Sequence, residues 1–550
     1  MKELSKEMRA YALKNALEFG KADAARILPK LFQHGLQKED IKKAILLIQK
    51  AVKEVNALSQ EERAAEFEKA KVLVKEREEK EKVLPELSNV EKGVVTRLPP
   101  EPSKYLHLGH ALSFLINAEY ALRYKGKCLL RFEDANPEKV KQEYVDAILE
   151  DIHEYLQIKP AGIRYVSDDM ERFYEAAEQL LAQGAAFMCF CEREQMQALR
   201  HAGKECACRN RSLAENQHLW QEFLAGKYAE GKAVLRLKGN MQSANHVMRD
   251  PALFRIVKAK HFRQGTKYHV WPLYDFYNPI EDALMGITHV LRTAEFEPRV
   301  ELHDFLRKLL QLPSLTLTQY GRFTVIGAET KGRDIRERIE AGEYTGWDDP
   351  RLMTLRTLRR RGIQQEVLLE LVQHLGLTKK QVTIDFAMIA AMSRKLLDAR
   401  VHRYYFVPEP MKIEIEGMPQ LKTVEVKMHP AQEKTRKVAA QGALAIPKED
   451  YSINKGKEIR LMNLCNLQLE KKPRCTGTEN KSIPKVQWVS LKSALSVKVR
   501  MDTGAWREGF GEAALRKLSV GDIVQFERFG FVRLDKKPAR KPLEFWFTHA

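Results

Sequence analysis

The chain has 550 residues and carries 93 Lys and Arg against 74 Asp and Glu, a formal net charge of +19. That length is enough for about three to five domains, and 44% apolar residues exclude disorder over most of the chain. No apolar run approaches the ~18 residues that cross a bilayer, and the start Met1-Lys2-Glu3-Leu4-Ser5-Lys6-Glu7 lacks a secretion signal, so a soluble, cytoplasmic protein is expected.

The charge is uneven: residues 1–92 carry +3, residues 93–400 carry +5 and residues 401–550 carry +11. A polyanion is the expected partner, nucleic acid first, held mostly by the last 150 residues.

Residues 7–57 place apolar side chains at helical spacing (Tyr11, Leu13, Leu17; Ile27, Leu31; Ile41, Ala44, Ile45, Ile48) between breaks at Phe19-Gly20 and His34-Gly35, which predicts a small helical bundle. Glu61 to Lys82 is mixed charge without Gly or Pro, an exposed helix or a linker, with a boundary near Pro85 to Lys92. From Gly93 the pattern is strand (93–96), Pro-rich loop (98–102), helix (109–124), strand (128–132) and helix (139–156), a βαβ unit that predicts a parallel sheet. Short strands resume over 233–325, residues 350–400 are helical, and period-two runs such as Met411 to Ile415, Thr423 to Val426 and Val497 to Arg500 predict an all-β tail.

The loop Thr96-Arg97-Leu98-Pro99-Pro100-Glu101-Pro102-Ser103-Lys104-Tyr105-Leu106-His107-Leu108-Gly109-His110 joins a strand to a helix, so the unpaired N–H groups of the helix start face the strand ends and attract phosphate. Gly109 allows close approach of a ligand. His107 and His110, three apart, can donate hydrogen bonds to phosphate oxygens and stabilise charge developing on a phosphate.

Pro100-Glu101-Pro102 with His107-Leu108-Gly109-His110 resembles the first signature of class I aminoacyl-tRNA synthetases, in the form used by the glutamyl and glutaminyl branch. Five further runs extend the resemblance in order: Arg131-Phe132-Glu133-Asp134-Ala135-Asn136-Pro137, Met248-Arg249-Asp250-Pro251, Pro272-Leu273-Tyr274-Asp275-Phe276, Gly286-Ile287-Thr288-His289 and Gly346-Trp347-Asp348-Asp349-Pro350-Arg351. The helical start resembles the extension on archaeal glutamyl members. The resemblance implies a Rossmann-type catalytic domain over 93–325 with an acceptor-end insertion at about 185–245. A second-signature loop and helical stem-contact segment follow over 326–400, and a β-barrel anticodon module over 401–550. It implies ATP with Mg²⁺, an acyl-adenylate, and transfer of glutamate to the terminal ribose of tRNA(Glu), with tRNA(Gln) a possible second acceptor. By the same resemblance Pro100, Glu101, Pro102, His107, Gly109, His110, Thr293, Arg322, Phe323 and Lys331 bind ATP; Arg97, Glu133 and Tyr274 bind the amino acid.

Glutamate and glutamine are nearly isosteric, so charge must separate them. Arg292 stands where glutaminyl relatives carry an uncharged residue; a guanidinium there grips a γ-carboxylate and offers no acceptor to an amide NH₂. The alternative is a glutamine-tRNA ligase. The second signature is atypical. Ungapped spacing from Gly321-Arg322-Phe323 to Gly346-Trp347 places Thr330-Lys331-Gly332-Arg333-Asp334 where a Ser-Lys-Arg-Lys-like run is expected, with Gly332 in place of the phosphate-contacting lysine. Either Lys331 or Arg333 clamps pyrophosphate as the loop closes, or the chain is a non-catalytic tRNA-binding paralogue. A nicotinamide dehydrogenase is disfavoured, because the first strand-to-helix turn lacks Gly-x-Gly-x-x-Gly.

Cys189-Phe190-Cys191 and Cys206-Ala207-Cys208 form two arms that can close on one tetrahedral Zn²⁺, a structural site holding a small insertion together; the alternative is four packed thiols. Arg356, Arg359, Arg360 and Arg361 at a helix end are candidate phosphate contacts on tRNA. Basic clusters at Lys471, Lys472 and Arg474, and at Lys536, Lys537, Arg540 and Lys541, lie near Trp488, Phe526, Phe529 and Phe531, which either stack anticodon bases or fill barrel cores.

Overall fold

The computed structural model describes residues 4–74, 84–327, 329, 331–540 and 542–550. Its contacts divide the chain into two units, Met1–Lys82 and Val83–Ala550.

The first unit is the expected helical bundle: α1 (Ser5–Phe19), α2 (Ala24–Leu31), α3 (Ile41–Ala57) and α4 (Gln60–Ala70). Tyr11, Leu13, Ile27, Leu31, Ala44 and Ile48 form its core, whereas Ile45 turns toward solvent. Gly20 and Gly35 end their helices at φ +79° and +88°, where a Cβ would be strained. The charged segment begins as a helix with no buried residue, its start fixed by reciprocal hydrogen bonds between Ser59 and Glu62; residues 75–83 lie outside the described residues.

In the second unit, β1 (Val95–Leu98), α5 (Leu108–Arg123), β2 (Lys127–Phe132), α6 (Gln142–Glu150) and β3 (Ile163–Tyr165) are the anticipated βαβ units, with β1-β2-β3 parallel. The helix expected to run to residue 156 stops being α-helical at Glu150 and continues as a π turn over Asp151–Tyr155. The parallel pair β8 (His289–Thr293) and β9 (Thr316–Tyr320) continues the layer, as the Thr288 N–H donates to the Val95 carbonyl at 3.1 Å and sets the start of β8 beside β1. The carboxyl ends of β1, β2 and β8 therefore face one crevice, where open parallel sheets bind ligands.

The insertion is larger than the 185–245 anticipated. After α7 (Met170–Ala182), β4 (Ala186–Cys189), β5 (Val234–Leu237), β6 (Ala252–Ile256) and β7 (Val270–Pro272) make one antiparallel sheet in that order, with α8 (Arg193–Ala202) and α9 (Leu213–Leu224) between β4 and β5. One core of Phe173, Trp220, Phe254 and Trp271 joins these elements, so β6 and β7 cannot be assigned to the parallel sheet.

Helices α10 (Tyr274–Leu284) and α11 (Pro298–Leu309) flank β8. Beyond β9, the strands β10 (Phe323–Val325) and β11 (Val382–Ile384) pair in parallel around α12 (Gly332–Glu340), α13 (Leu355–Arg361) and α14 (Gln365–Leu375), and α15 (Phe386–Asp398) follows. The β11 strand was not visible inside a segment read as helical. The C-terminal region is all-β, as expected, with two cores. One sheet takes strands from 403–408 and 495–549; the other module occupies 410–490. Among the described residues no helix is long and apolar enough to cross a membrane.

Candidate active site and metal centre

The first signature loop is anchored at both ends of its proline run. Glu133 N–H donates to the Pro100 carbonyl at 2.9 Å and Lys141 N–H to the Pro102 carbonyl at 3.1 Å, tying the loop to the end of β2 and to the start of α6. His107 caps α5: its Nδ1 accepts the Gly109 N–H at 3.1 Å, while His110 Nδ1 accepts the His107 N–H at 3.2 Å. Both Nδ1 lone pairs are thus occupied, so each neutral ring carries its proton on Nε2 and offers it as a donor. Burial, reinforced by Lys104 and Arg322, pushes His107 down to about 3; burial, with His107 and Lys104, holds His110 well below its ordinary value. At neutral pH the pair therefore offers hydrogen-bond donors without net charge. The rings stand 3.9 Å apart. A Cβ on Gly109 would lie 3.0 Å from His107 Cε1 and 3.7 Å from the Phe323 carbonyl, so glycine keeps this end of the helix open. Thr293 and Arg322 both reach Glu295, at 3.0 and 3.6 Å, on the neighbouring strand ends. Glu101 is exposed and Pro102 buried.

The other side of the crevice is built on one face of α10. Tyr274, Tyr277, Asn278, Glu281 and Asp282 recur at helical spacing there. Asp282 Oδ1 accepts Arg97 Nε at 3.2 Å and Arg131 Nη1 at 2.7 Å; Arg131 Nη2 donates to Glu133 at 3.0 Å. Asn278 and Tyr277 complete the grip on Glu133 at 3.4 and 3.5 Å. Burial would raise Asp282, but Arg97 and Arg131 overcome it and hold the carboxyl at about 2. Arg307 approaches the other oxygen at 3.7 Å. Arg292, at the end of β8, is 8% exposed, and among the described residues no carboxylate pairs with it. Burial lowers its pKa, and the Tyr274 hydroxyl lies beside it; Tyr274 itself is raised to about 12 by burial and Glu133. A cavity of about 60 Å³ behind Arg292 is bounded by Asp282 and Arg307. Arg97, Arg131 and Arg307 thus gather about Asp282, Arg131 also holding Glu133 and Arg307 also Asp304 at 3.1 Å, while Arg292 is the guanidinium here with no carboxylate partner among the described residues. Arg97, Glu133, Tyr274 and Arg292 come together as expected. Arg131, Asn278 and Asp282 were not anticipated, although the i, i+4, i+8 spacing of Tyr274, Asn278 and Asp282 is readable once α10 is placed.

In the second loop, Thr330 lies outside the described residues. Lys331 and Arg333 are exposed and turn to Asp334 and Glu337 on their own helix, at 3.3 to 3.8 Å. The side chain that lies against the loop backbone is Lys104: a Cβ on Gly332 would stand 2.9 Å from Lys104 Cδ.

The four cysteines converge. Their sulfurs all lie within 4.8 Å of one another, with Cys189 to Cys206 at 3.9 Å and Cys191 to Cys208 at 4.0 Å. Four thiolates at ~2.3 Å from a tetrahedral Zn²⁺ stand about 3.8 Å apart, so the donor set fits that ion, and the separations exclude disulfides. Arg236, buried, points Nη1 at Cys189 and Cys206 sulfurs at 3.6 and 3.5 Å, a compensating charge for a tetrathiolate.

The arginine cluster does not form the phosphate-binding row expected of it. Arg361 is 4% exposed and donates to the carbonyls of Phe547 and Thr548, and burial lowers it to about 10. Arg360 bridges Asp348 and Asp535 and lies 4.2 Å from the Trp546 ring. These two dock α13 on the C-terminal sheet. Arg359 remains at the surface, paired with Glu150 at 2.7 Å; Arg356 lies over Tyr105. Trp488, Phe526 and Phe531 are core residues and Phe529 packs against that core, so none is a free stacking face. Lys541 lies outside the described residues.

A parallel sheet whose first strand-to-helix turn carries Pro-Glu-Pro and His-Leu-Gly-His, with an inserted antiparallel sheet and a β-rich tail, defines a class I aminoacyl-tRNA synthetase. Family models agree: residues 93–399 match the catalytic domain of class I (E and Q) tRNA synthetases, and residues 401–487 and 485–535 match two anti-codon binding domains of that group. The chain belongs to the class I tRNA synthetases of the E and Q family. Among its relatives, the glutamate–tRNA ligase of Korarchaeum cryptofilum is 35% identical over 100% of both chains. Those of Methanocaldococcus jannaschii and Pyrococcus abyssi are each 35% identical, over 96% of this chain and 96% and 97% of theirs. A solved glutamate tRNA ligase from Elizabethkingia meningosepticum, in complex with its amino acid, aligns at 16% identity and a TM-score of 0.40 over 56% of this chain and 70% of that one.

Proposed function

We propose that the protein attaches L-glutamate to the 3′ end of tRNA(Glu) in two steps. The glutamate α-carboxylate attacks the α-phosphate of ATP, pyrophosphate leaves, and a ribose hydroxyl of the tRNA then displaces AMP from the acyl carbon. Whole-length similarity to curated glutamate–tRNA ligases supports this. The observation that carries the choice of amino acid is Arg292, a buried guanidinium lacking a carboxylate partner among the described residues. A γ-carboxylate completes it; an amide leaves the charge unpaired in a low-dielectric pocket.

In this reading Arg97 and Arg292 receive the substrate's carboxylates, Glu133 receives its ammonium, and Tyr274 closes the wall. His107 and His110 donate from Nε2 to phosphate oxygens where charge develops. Mg²⁺ accompanies the ATP and neutralises its phosphates. Zn²⁺ on Cys189, Cys191, Cys206 and Cys208 holds the insertion in shape. Arg359 and the basic β-module contact tRNA backbone, with a marked loss of affinity as salt rises.

Charging assays with purified tRNA(Glu) and tRNA(Gln), each with glutamate and with glutamine, test the reading. Glutamylation of tRNA(Glu) is expected. Preferential use of glutamine, or no charging of either tRNA, overturns it; glutamylation of tRNA(Gln) as well extends it to both acceptors.

A further inference from the structure

The atypical second loop lacks a lysine at position 332, and the structure shows what occupies that space. Gly332 begins the nine-residue helix α12. A Cβ built on it would meet Lys104 Cδ at 2.9 Å, Cβ at 3.3 Å and Cγ at 3.7 Å, so the aliphatic stem of Lys104 lies across the helix start where a side chain would emerge. Lys104 comes from the other signature, three residues before His107. It is half-buried, and among the described residues no carboxylate forms an ion pair with it. Lys331 and Arg333, by contrast, are exposed and lean toward acids on α12 in loose surface pairs at 3.8 and 3.7 Å.

The charge of Lys104 is felt by both imidazoles, and burial lowers its own pKa against the opposing pull of Glu101. An ammonium held partly out of water without a counter-ion is unfavourable until an anion arrives. The neutral histidines supply donors but no net charge, so the charge of a triphosphate must be met by cations nearby. Arg322 is one, exposed and shared with Glu295. Arg336, which donates to the Ser103 carbonyl at 3.3 Å, is a second; Lys104 is the one that lies across the start of α12, beside N–H groups that favour the same anion.

We propose that Lys104 is the phosphate-clamping lysine of this enzyme: reaching from the first signature loop, its ammonium contacts the β- and γ-phosphates of ATP and the departing pyrophosphate, in place of the lysine absent at Gly332. This rests on the ATP-dependent reading above. As the glutamate oxygen bonds to the α-phosphorus, the bond from that phosphorus to the bridging oxygen breaks and pyrophosphate takes the electron pair. Lys104 stays protonated throughout, transferring nothing and stabilising charge that grows on the leaving group. A side chain at position 332 would have to push the Lys104 stem aside, so the two positions compete for one space.

ATP–pyrophosphate exchange, measured with tRNA(Glu) and glutamate present, tests this on the full-length protein. Lys104→Met is expected to lower kcat/KM for ATP about 10²-fold, the usual scale for one charge-stabilising contact, with KM for glutamate and the melting temperature unchanged. Lys104→Arg should retain most activity. Gly332→Lys alone should be impaired by the clash, whereas Lys104→Gly combined with Gly332→Lys should recover at least about tenfold over Lys104→Gly. Wild-type exchange in Lys104→Met, or no recovery in the double variant, overturns the proposal. Should the wild type show no exchange at all, the functional reading fails. Equilibrium binding of ATP to wild type and Lys104→Met then still decides the lysine's role, equal affinities counting against it.

Discussion

Asp282 holds Arg97 and Arg131 through a single carboxylate oxygen, Oδ1, at 3.2 and 2.7 Å. Because Arg131 in turn holds Glu133 at 3.0 Å, one buried residue of α10 sets the spacing between Arg97 and Glu133, the two groups proposed above to receive a substrate carboxylate and ammonium. Replacing it with the isosteric amide keeps the volume but leaves the guanidiniums repelling one another in a poorly solvated pocket. Asp282→Asn is expected to raise KM for glutamate about tenfold or more while KM for ATP stays within about twofold. Steady-state kinetics in each substrate give the comparison. Equal changes in both constants would make Asp282 a general packing residue.

Arg292 bears on selectivity more than on folding. Removing a buried cation that has no carboxylate partner among the described residues relieves a desolvation penalty, so Arg292→Cys should not lower the melting temperature. It should reduce kcat/KM for glutamate by at least about 10²-fold, the scale of a charge-assisted pair, and diminish the preference over glutamine. Glutamate kinetics like those of the wild type would remove Arg292 from the binding site.

The thiolate cluster makes a prediction that needs no activity. Protein purified without chelator should contain one zinc per chain by elemental analysis. Cys206→Ser should lose it and melt earlier, because the sulfur separations of 3.9 and 4.0 Å match those of four thiolates around one tetrahedral ion, with Arg236 against two of them. Arg236→Met should weaken metal retention without removing a ligand. A metal-free native protein of unchanged stability would leave four packed thiols as the answer.

Local patterns were readable from the sequence, and long-range choices were not. The strand, proline loop and helix at 95–123 are encoded within thirty residues, and the two histidines announce themselves by their position at the helix start. The cysteine arms were readable for the same reason. Arg359, Arg360 and Arg361 look equivalent in sequence, yet one is exposed and two are consumed by a sheet formed about 180 residues later, through Asp535, Phe547 and Thr548. Charge alone could not tell them apart, because which face of α13 is covered depends on tertiary docking. The same holds for Lys104, whose significance lies in a glycine 228 positions further on. Period-two runs predicted the β tail correctly but could not assign its aromatics to core or surface, since both roles suit alternating strands.

Glu281, next to Asp282 on α10, supplies a prediction about pH. It is fully buried, with Arg164 Nε at 3.3 Å as its nearest cation and Asp169 beyond, itself bound to Arg164. Burial raises the carboxyl to about 8, Arg131 and Arg164 opposing and Asp169 assisting. The folded state therefore keeps a proton that the unfolded chain releases near 4.5, and the stabilisation present below 4.5 is lost as pH rises through about 8. His107 has the opposite sign: its stabilising contribution is present above 6.5 and lost as pH falls toward about 3. Between pH 7 and 8.5 the glutamate dominates this pair, at no more than about 1.4 kcal/mol per pH unit. Glu281→Gln keeps a donor for Asp169 and cannot ionise. Its melting temperature should fall less over that range than the wild type's, by about one degree for a chain of this size, the remaining slope coming from groups such as Asp151, which burial raises to about 7. Parallel curves for the two proteins would mean that Glu281 is already ionised at neutral pH, its charge balanced by Arg131 and Arg164.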